Sequence, residues 1–299
     1  MLSQDEELTF GIGRVIDHLG LDSLSEEWKR ALRNIESDPA DAITASRALV
    51  ESACKIVLET RGEEPKGNIY EKTLKCVGLR ADSIYDQVAS LTGKLRHHYG
   101  DAHGHGEDII QVEPRHARFV VCLAGGLVAF LLETLERQPY WDVLFVCQGG
   151  TCRSPMAAAI LQELLIKADK PFTVAAAGLD PNMRNVTPEV IDAIPRAVSV
   201  KRVVTNPMTL NSARLIIVME PKQKVICRQK LANLQPDRVV LLSEVAGEGE
   251  KLFPDPYNEL TGDKEHNNQV YKESASRLKE WLLNSLPKIK TRLSDPAED

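Results

Sequence analysis

The chain lacks an excess of charge of either sign. Its 37 Lys and Arg stand against 43 Asp and Glu, a formal charge of −6, so bulk attraction to nucleic acid is not its organising feature. The imbalance is uneven: residues 1–140 carry 16 basic against 23 acidic side chains, and the rest 21 against 20. The first half can therefore hold nucleic acid only through a local cluster. A long apolar run is also missing. The longest uncharged stretch, FVVCLAGGLVAFLL from Phe119 to Leu132, falls short of the roughly 18 residues needed to span a bilayer, so a buried helix and no membrane partner are expected. The opening MLSQDEELTF is acidic and has no apolar core, unlike a secretory signal. The six cysteines, Cys54, Cys76, Cys122, Cys147, Cys152 and Cys227, have no framework spacing, and free thiols in a reducing cytoplasm are the expectation. Neither an internal repeat nor a low-complexity segment is present.

What remains is an ordinary globular composition, 43% hydrophobic and 27% charged over 299 residues, enough for about two domains with their own cores. The first half reads as helices. Ser23-Leu24-Ser25-Glu26 has the capping-box form before a helical run. Asp38-Pro39 opens a second helix, with Ile43, Leu49, Ala53, Ile56 and Val57 on its inner side. RGEEPKGN is a loop, helical stretches follow near 70–77 and 82–98, and 114–136 is a long buried helix. From Asp142 the pattern changes. The runs VLFVC, FTVAAA, RLIIVM and RVVLL alternate with helical segments near 154–168, 187–196, 221–232 and 267–285, the mark of a parallel sheet with crossover helices. The expected chain is an all-α helical bundle over 1–138, a doubly wound parallel four-stranded sheet over 141–287 and a polar tail over 288–299. The junction is ERQPYWD.

The chemistry concentrates in VLFVCQGGTCRSPMA, residues 143–157. Cys147 ends the first strand, and ligands of open parallel sheets bind beyond the carboxyl ends of strands. Ser154-Pro155 reads as the start of the next helix, so Gln148, Gly149, Gly150, Thr151 and Cys152 must form a tight loop at a helix N-terminus. Such a loop aims backbone N–H groups at one anion and favours the ionised, nucleophilic form of a thiol. Arg153 adds a planar fork matched to two phosphate oxygens. A thiolate and a bound oxyanion in one loop describe phosphoryl transfer through phosphocysteine. Asp255, in the Pro-flanked loop FPDPYNEL, is the candidate acid for the leaving oxygen and base for the hydrolytic water. Cys152 has two readings, a redox partner for Cys147 or a small buried side chain.

These residues resemble the low-molecular-weight protein-tyrosine phosphatases, whose loop is Cys-x5-Arg-Ser-Pro after a first strand and whose acid lies in a distal Asp-Pro-aromatic motif, here Asp255-Pro256-Tyr257. The resemblance covers about 141–287. It implies Cys147 as nucleophile, Arg153 as phosphate clamp, Ser154 as hydroxyl donor to the thiolate and Asp255 as acid. The substrate would be a phosphorylated protein or a small phosphomonoester, with no cofactor. Gly150 stands where the family usually has asparagine, Ala176 replaces a serine, and LDPNMRNV lacks the aromatic expected on one wall of a phosphotyrosine slot. NVTPEVIDAI is similar to thioredoxin-coupled arsenate reductases, the alternative reading. Met219 occupies the place of their first relay cysteine, and Cys227 lies only near the second.

In the first half, GKLRHHYGDAHGHG places Arg96 and His103 seven positions apart, two turns on one face if the helix continues. An imidazole beside a fixed cation can act on an RNA phosphodiester without metal, but an Arg–His pair at helical spacing is usually a solvated or structural feature, and the glycines can end the helix at Tyr99. LRHHYGDAHG followed by HARFVVCLAGGLVAFLLET resembles the abortive-infection C-terminal domain, a branch of the HEPN superfamily, over about 40–137. That resemblance implies either an Arg96, His97, His103 ribonuclease site or a dimerisation module, and a link to phage defence. A homodimer and an RNA partner are the corresponding expectations. The alternative for the whole chain is a HEPN ribonuclease effector with a phosphate-sensing domain. His97, His98, His103 and His105 have only Asp101 beside them and no ligand spacing, so no metal is expected.

Overall fold

Asp38 closes one helix and opens the next. In the computed structural model, which describes residues 4–78, 112–137, 140–166, 172–180, 185–231 and 236–294, its carboxylate accepts from the Asp41 N–H at 3.1 Å, with Pro39 in the first helical turn. Proline costs nothing there because that N–H has no helical partner. The helix so begun, α3 (Pro39–Thr60), buries Ile43, Leu49, Ala53 and Val57 as its spacing predicts, while Ile56, expected with them, is only half-buried. Two helices precede it, α1 (Gln4–His18) and α2 (Asp22–Ser37), and α4 (Ile69–Cys76) follows the 61–68 loop. The capping box expected at Ser23–Glu26 does not form. The helix already begins at Asp22, Leu21 takes the cap position without a side-chain bond, and Ser25 instead donates to Asp17 at 2.9 Å.

The long apolar segment is α5 (Pro114–Arg137). By length and composition alone it is long and apolar enough to cross a membrane, because the helix runs past both ends of the 14-residue uncharged stretch that is too short to do so. Val120, Val121, Ala124, Leu127, Val128, Leu131, Leu132 and Leu135 are buried within the unit, and α5 packs against α1, α2 and α3. Gly125 permits the approach of Trp28, whose ring lies 2.7 Å from where a Cβ would stand. The stretch 82–98, Arg96, His97 and His103 lie outside the described residues, as do His98, Asp101 and His105.

The chain divides into two compact units, 1–138 and 139–299. The second is built on a parallel sheet of β1 (Trp141–Cys147), β2 (Val174–Gly178), β3 (Lys201–Val204), β4 (Ala213–Val218) and β5 (Val239–Leu241), in the order β3-β2-β1-β4-β5. The sheet thus has five strands where the apolar runs predict four. The unpredicted β3 is a four-residue edge strand paired only with β2 and led by Lys201 and Arg202, so it carries no apolar run to read. Alternation sorts the strands between two cores. Val143, Phe145 and Cys147 face a layer containing α6 (Arg153–Leu165) and α11 (Lys264–Ser294). Leu144 and Val146 face another with Leu210 of α8 (Pro207–Asn211) and Cys227 of α9 (Pro221–Lys230). Between these lie α7 (Pro188–Ala193) and, after β5, α10 (Leu242–Ala246). The expected polar tail at 288 is a further correction: α11 continues through Pro287 to Ser294, with Ile289 and Leu293 buried. Their i, i+4 spacing keeps one face on the core.

Candidate active site

Strand order reverses beside β1. β2 and β3 run off on one side of it and β4 and β5 on the other, which opens a crevice at its carboxyl end. Cys147 is the last residue of β1, and Arg153 the first of α6. The five residues between must turn the chain within a very short distance. Gly150 does so with φ 63°, a left-handed conformation open to glycine without strain, so the position can turn without the family's asparagine. The loop is tied to the end of β2: Leu179 N–H donates to the Cys147 carbonyl at 3.0 Å and Asp180 N–H to that of Gln148 at 2.9 Å. Gly178 lets the loop lie directly against the strand. A Cβ there would stand 2.8 Å from Gly149 C and Gly150 N.

The Cys147 thiol lies 3.1 Å from the Ser154 hydroxyl, whose oxygen is also 3.1 Å from the Ala177 carbonyl. Arg153 is 2% exposed yet reaches three acceptors. Its Nη1 donates to Glu220 Oε1 at 2.6 Å and to the Phe253 carbonyl at 3.2 Å, and its Nη2 to Asp255 Oδ2 at 2.5 Å. The other Asp255 oxygen accepts from Tyr257 N–H at 3.2 Å, fixing the carboxylate at the head of a short 3-10 turn. Residues 147, 153 and 255, separated by up to 108 positions in sequence, thus meet at one point. They share an open cleft of about 1110 Å³, also lined by Gln148, Gly149, Thr151 and Cys152. Gly150 and Ser154 do not line it: Ser154 is fully buried beneath the thiol.

Cys152 is buried, and its thiol is pushed well up, first by burial and then by the negative charges of Cys147 and Asp255. It faces Tyr271 of α11, whose hydroxyl is raised by burial and by Cys152 and also interacts with Thr187. Glu220, Asp180, Thr187, Arg202 and Tyr271 belong to the site and were not expected from the sequence. Glu220 had a legible signal, since it follows the apolar run RLIIVM, where a parallel strand delivers residues to the crevice. Tyr271 had none, for it sits inside a long helix of mixed composition. The relay expected of an arsenate reductase meets an obstacle. Cys227 is fully buried in the opposite core layer from Cys147, and burial pushes its thiol up to about 12.

Comparison with known proteins finds a family model for each half of the chain. Residues 22–135 match the family model of a HEPN-like domain. A protein-arginine-phosphatase from Bacillus subtilis (strain 168) is 29% identical over 154 residues, 50% of this chain and 97% of the relative. Among solved structures, a crystal structure of a YwlE mutant from Bacillus subtilis is 25% identical, covering 50% of this chain and 99% of that one with a TM-score of 0.42. A solution structure of a low molecular weight protein tyrosine phosphatase from the same organism is 26% identical, covering 50% and 97% with a TM-score of 0.43. The parallel sheet, the Cys-x5-Arg-Ser-Pro loop at its reversal point and the Asp-Pro-Tyr turn all fall within residues 142–292, which match the family model for low molecular weight phosphotyrosine protein phosphatases, and through them this chain belongs to that family.

Proposed function

We propose that the second unit hydrolyses phosphorylated side chains, phosphotyrosine-like aryl phosphates first, through a phosphocysteine intermediate. Cys147 attacks phosphorus and forms the S–P bond as the P–O bond to the leaving group breaks. The loop N–H groups and Arg153 hold the three remaining oxygens. Asp255 gives its proton to the leaving oxygen, then takes one from the water that displaces phosphate from sulfur, so the enzyme is restored and one water is consumed. The observation that carries this reading is the meeting of the Cys147 thiol, the Ser154 hydroxyl at 3.1 Å and the Arg153–Asp255 pair at 2.5 Å, at the mouth of one helix. For the reaction to run, Asp255 must leave Arg153 and turn to the leaving group. The test is turnover of nitrophenyl phosphate in the presence of chelator, lost in Cys147→Ser and strongly reduced in Arg153→Ala. Full activity in Cys147→Ser rules the mechanism out.

A second substrate reading, phosphoarginine, is favoured by two observations. The curated relative is a protein-arginine-phosphatase. The cleft is also lined by Asp180, Asp255 and Tyr257, acidic and aromatic groups suited to a planar guanidinium. Paired assays on phosphotyrosine and phosphoarginine peptides decide between the two. The helical unit is read as a dimerisation module, with Arg96 and His103 as its candidate RNA-directed pair, supported by the HEPN-like match over 22–135.

A further inference from the structure

Arg153 has two carboxylate partners, and only one of them can stay during the proposed reaction. Asp255 must release Nη2 to serve as acid. Glu220, the residue after the β4 turn at Met219, holds Nη1 at 2.6 Å on the side shared with the Phe253 carbonyl. Glu220 is itself held. Its Oε1 also accepts from Gln223 Nε2 at 3.0 Å, and Gln223 Oε1 accepts from the Met219 N–H at 3.0 Å. That last bond decides the orientation of the amide: with its oxygen engaged by a backbone donor, its nitrogen must face Glu220. Gln223 is 1% exposed, so the chain Met219–Gln223–Glu220–Arg153 is anchored in the protein rather than in solvent.

We infer that Glu220, backed by Gln223, is a positioning residue for phosphoryl transfer: it pins the Nη1 side of the Arg153 guanidinium so that the opposite edge is presented to the phosphoryl group. The inference rests on the phosphocysteine mechanism above and adds to it a residue that does not touch the reacting atoms. A guanidinium on a flexible stem, buried at 2% exposure, has a fixed direction only if some acceptor holds it when Asp255 departs. Glu220 and the Phe253 carbonyl are the two that remain. What Arg153 needs from Glu220 for direction is an acceptor oxygen, which an amide also supplies.

The experiment uses the full chain with orthovanadate, a mimic of the five-coordinate transition state, and inorganic phosphate as competitive inhibitors. Loss of a hydrogen bond to a charged group predicts a fall of about tenfold to hundredfold in kcat/KM for Glu220→Ala. Vanadate inhibition should weaken in parallel, and phosphate inhibition should weaken less. Glu220→Gln keeps the acceptor and should stay within about threefold of wild type by the same reasoning. Gln223→Ala should shift vanadate in the direction of Glu220→Ala. A merely structural role for Glu220, which immediately precedes α9, would instead lower the melting temperature and the active fraction while leaving the vanadate constant of the surviving enzyme unchanged, and that result overturns the inference. So does an equal loss in Glu220→Gln and Glu220→Ala. Cys147→Ser, run alongside, separates the two levels. No turnover there with unchanged vanadate binding in Glu220→Ala removes the positioning role alone; full turnover there removes both.

Discussion

Ser154→Ala removes a hydroxyl in contact with the Cys147 sulfur. The Ser154 oxygen lies 3.1 Å from that sulfur and 3.1 Å from the Ala177 carbonyl, and it has a single hydrogen to share. While Cys147 is a thiol, the S–H can donate to Ser154 and Ser154 to Ala177. Once Cys147 is a thiolate, the hydroxyl must turn to the sulfur and give up the carbonyl. The thiolate therefore gains a charge-assisted bond of roughly 1.5–3 kcal/mol at the cost of a neutral one of roughly 0.5–1.5 kcal/mol. The difference, about 1–1.5 kcal/mol of support for the anionic sulfur, predicts a fall of about fivefold to tenfold in the reactivity of the Cys147 sulfur in Ser154→Ala. Two assays read it: the rate of inactivation by iodoacetamide, and kcat/KM for nitrophenyl phosphate. Rates equal to wild type in both refute the assignment of this hydroxyl to the thiolate. The variant should remain folded, with a stability loss of about 1 kcal/mol or less from the abandoned carbonyl.

Gly178→Ala places a Cβ 2.8 Å from the backbone of Gly149 and Gly150, neither of which can move without displacing the anion loop; activity should collapse with a stability loss of about 1–3 kcal/mol, read by turnover and thermal melting. Asp255→Asn should slow turnover most for poor leaving groups and least for nitrophenolate; equal losses across the leaving-group series would make Asp255 structural. Burial pushes the thiols of Cys54 and Cys227 up to about 11 and about 12, so iodoacetamide at pH 8 should spare both until the protein is denatured; labelling of Cys227 in the folded enzyme would reopen the arsenate-reductase relay. For the helical unit, residues 1–138 alone should dimerise by light scattering, residues 141–299 alone should be monomeric and still dephosphorylate, and any RNA cleavage should vanish in His103→Ala with the dimer intact. A monomeric full-length chain at micromolar concentration removes the shared Arg96–His103 groove.

The sequence by itself determined the fold class, because apolar periodicity is local: two residues per repeat in the sheet region and nearly four in the helices. It also marked the loop, since Cys147, the glycines, Arg153 and Ser154-Pro155 are contiguous and their chemistry follows from proximity along the chain. It misplaced what depends on partners. β3 is a strand because β2 offers it hydrogen bonds, although its residues Lys201 and Arg202 advertise no core. The last turns of α11 are ordered because Ile289 and Leu293 find an apolar surface, although the stretch reads as polar. Ser23 forms no cap because the helix already begins one residue earlier, at Asp22. Asp255 was marked by its Asp-Pro-Tyr motif, but the meeting of Glu220 and Tyr271 with Arg153 and Cys152 was beyond the sequence for the same reason. Each comes from a different element, and only the pairing of β4 beside β1 and the packing of the Asp-Pro-Tyr turn and α11 around the end of that sheet bring their side chains within reach of Arg153 and Cys152.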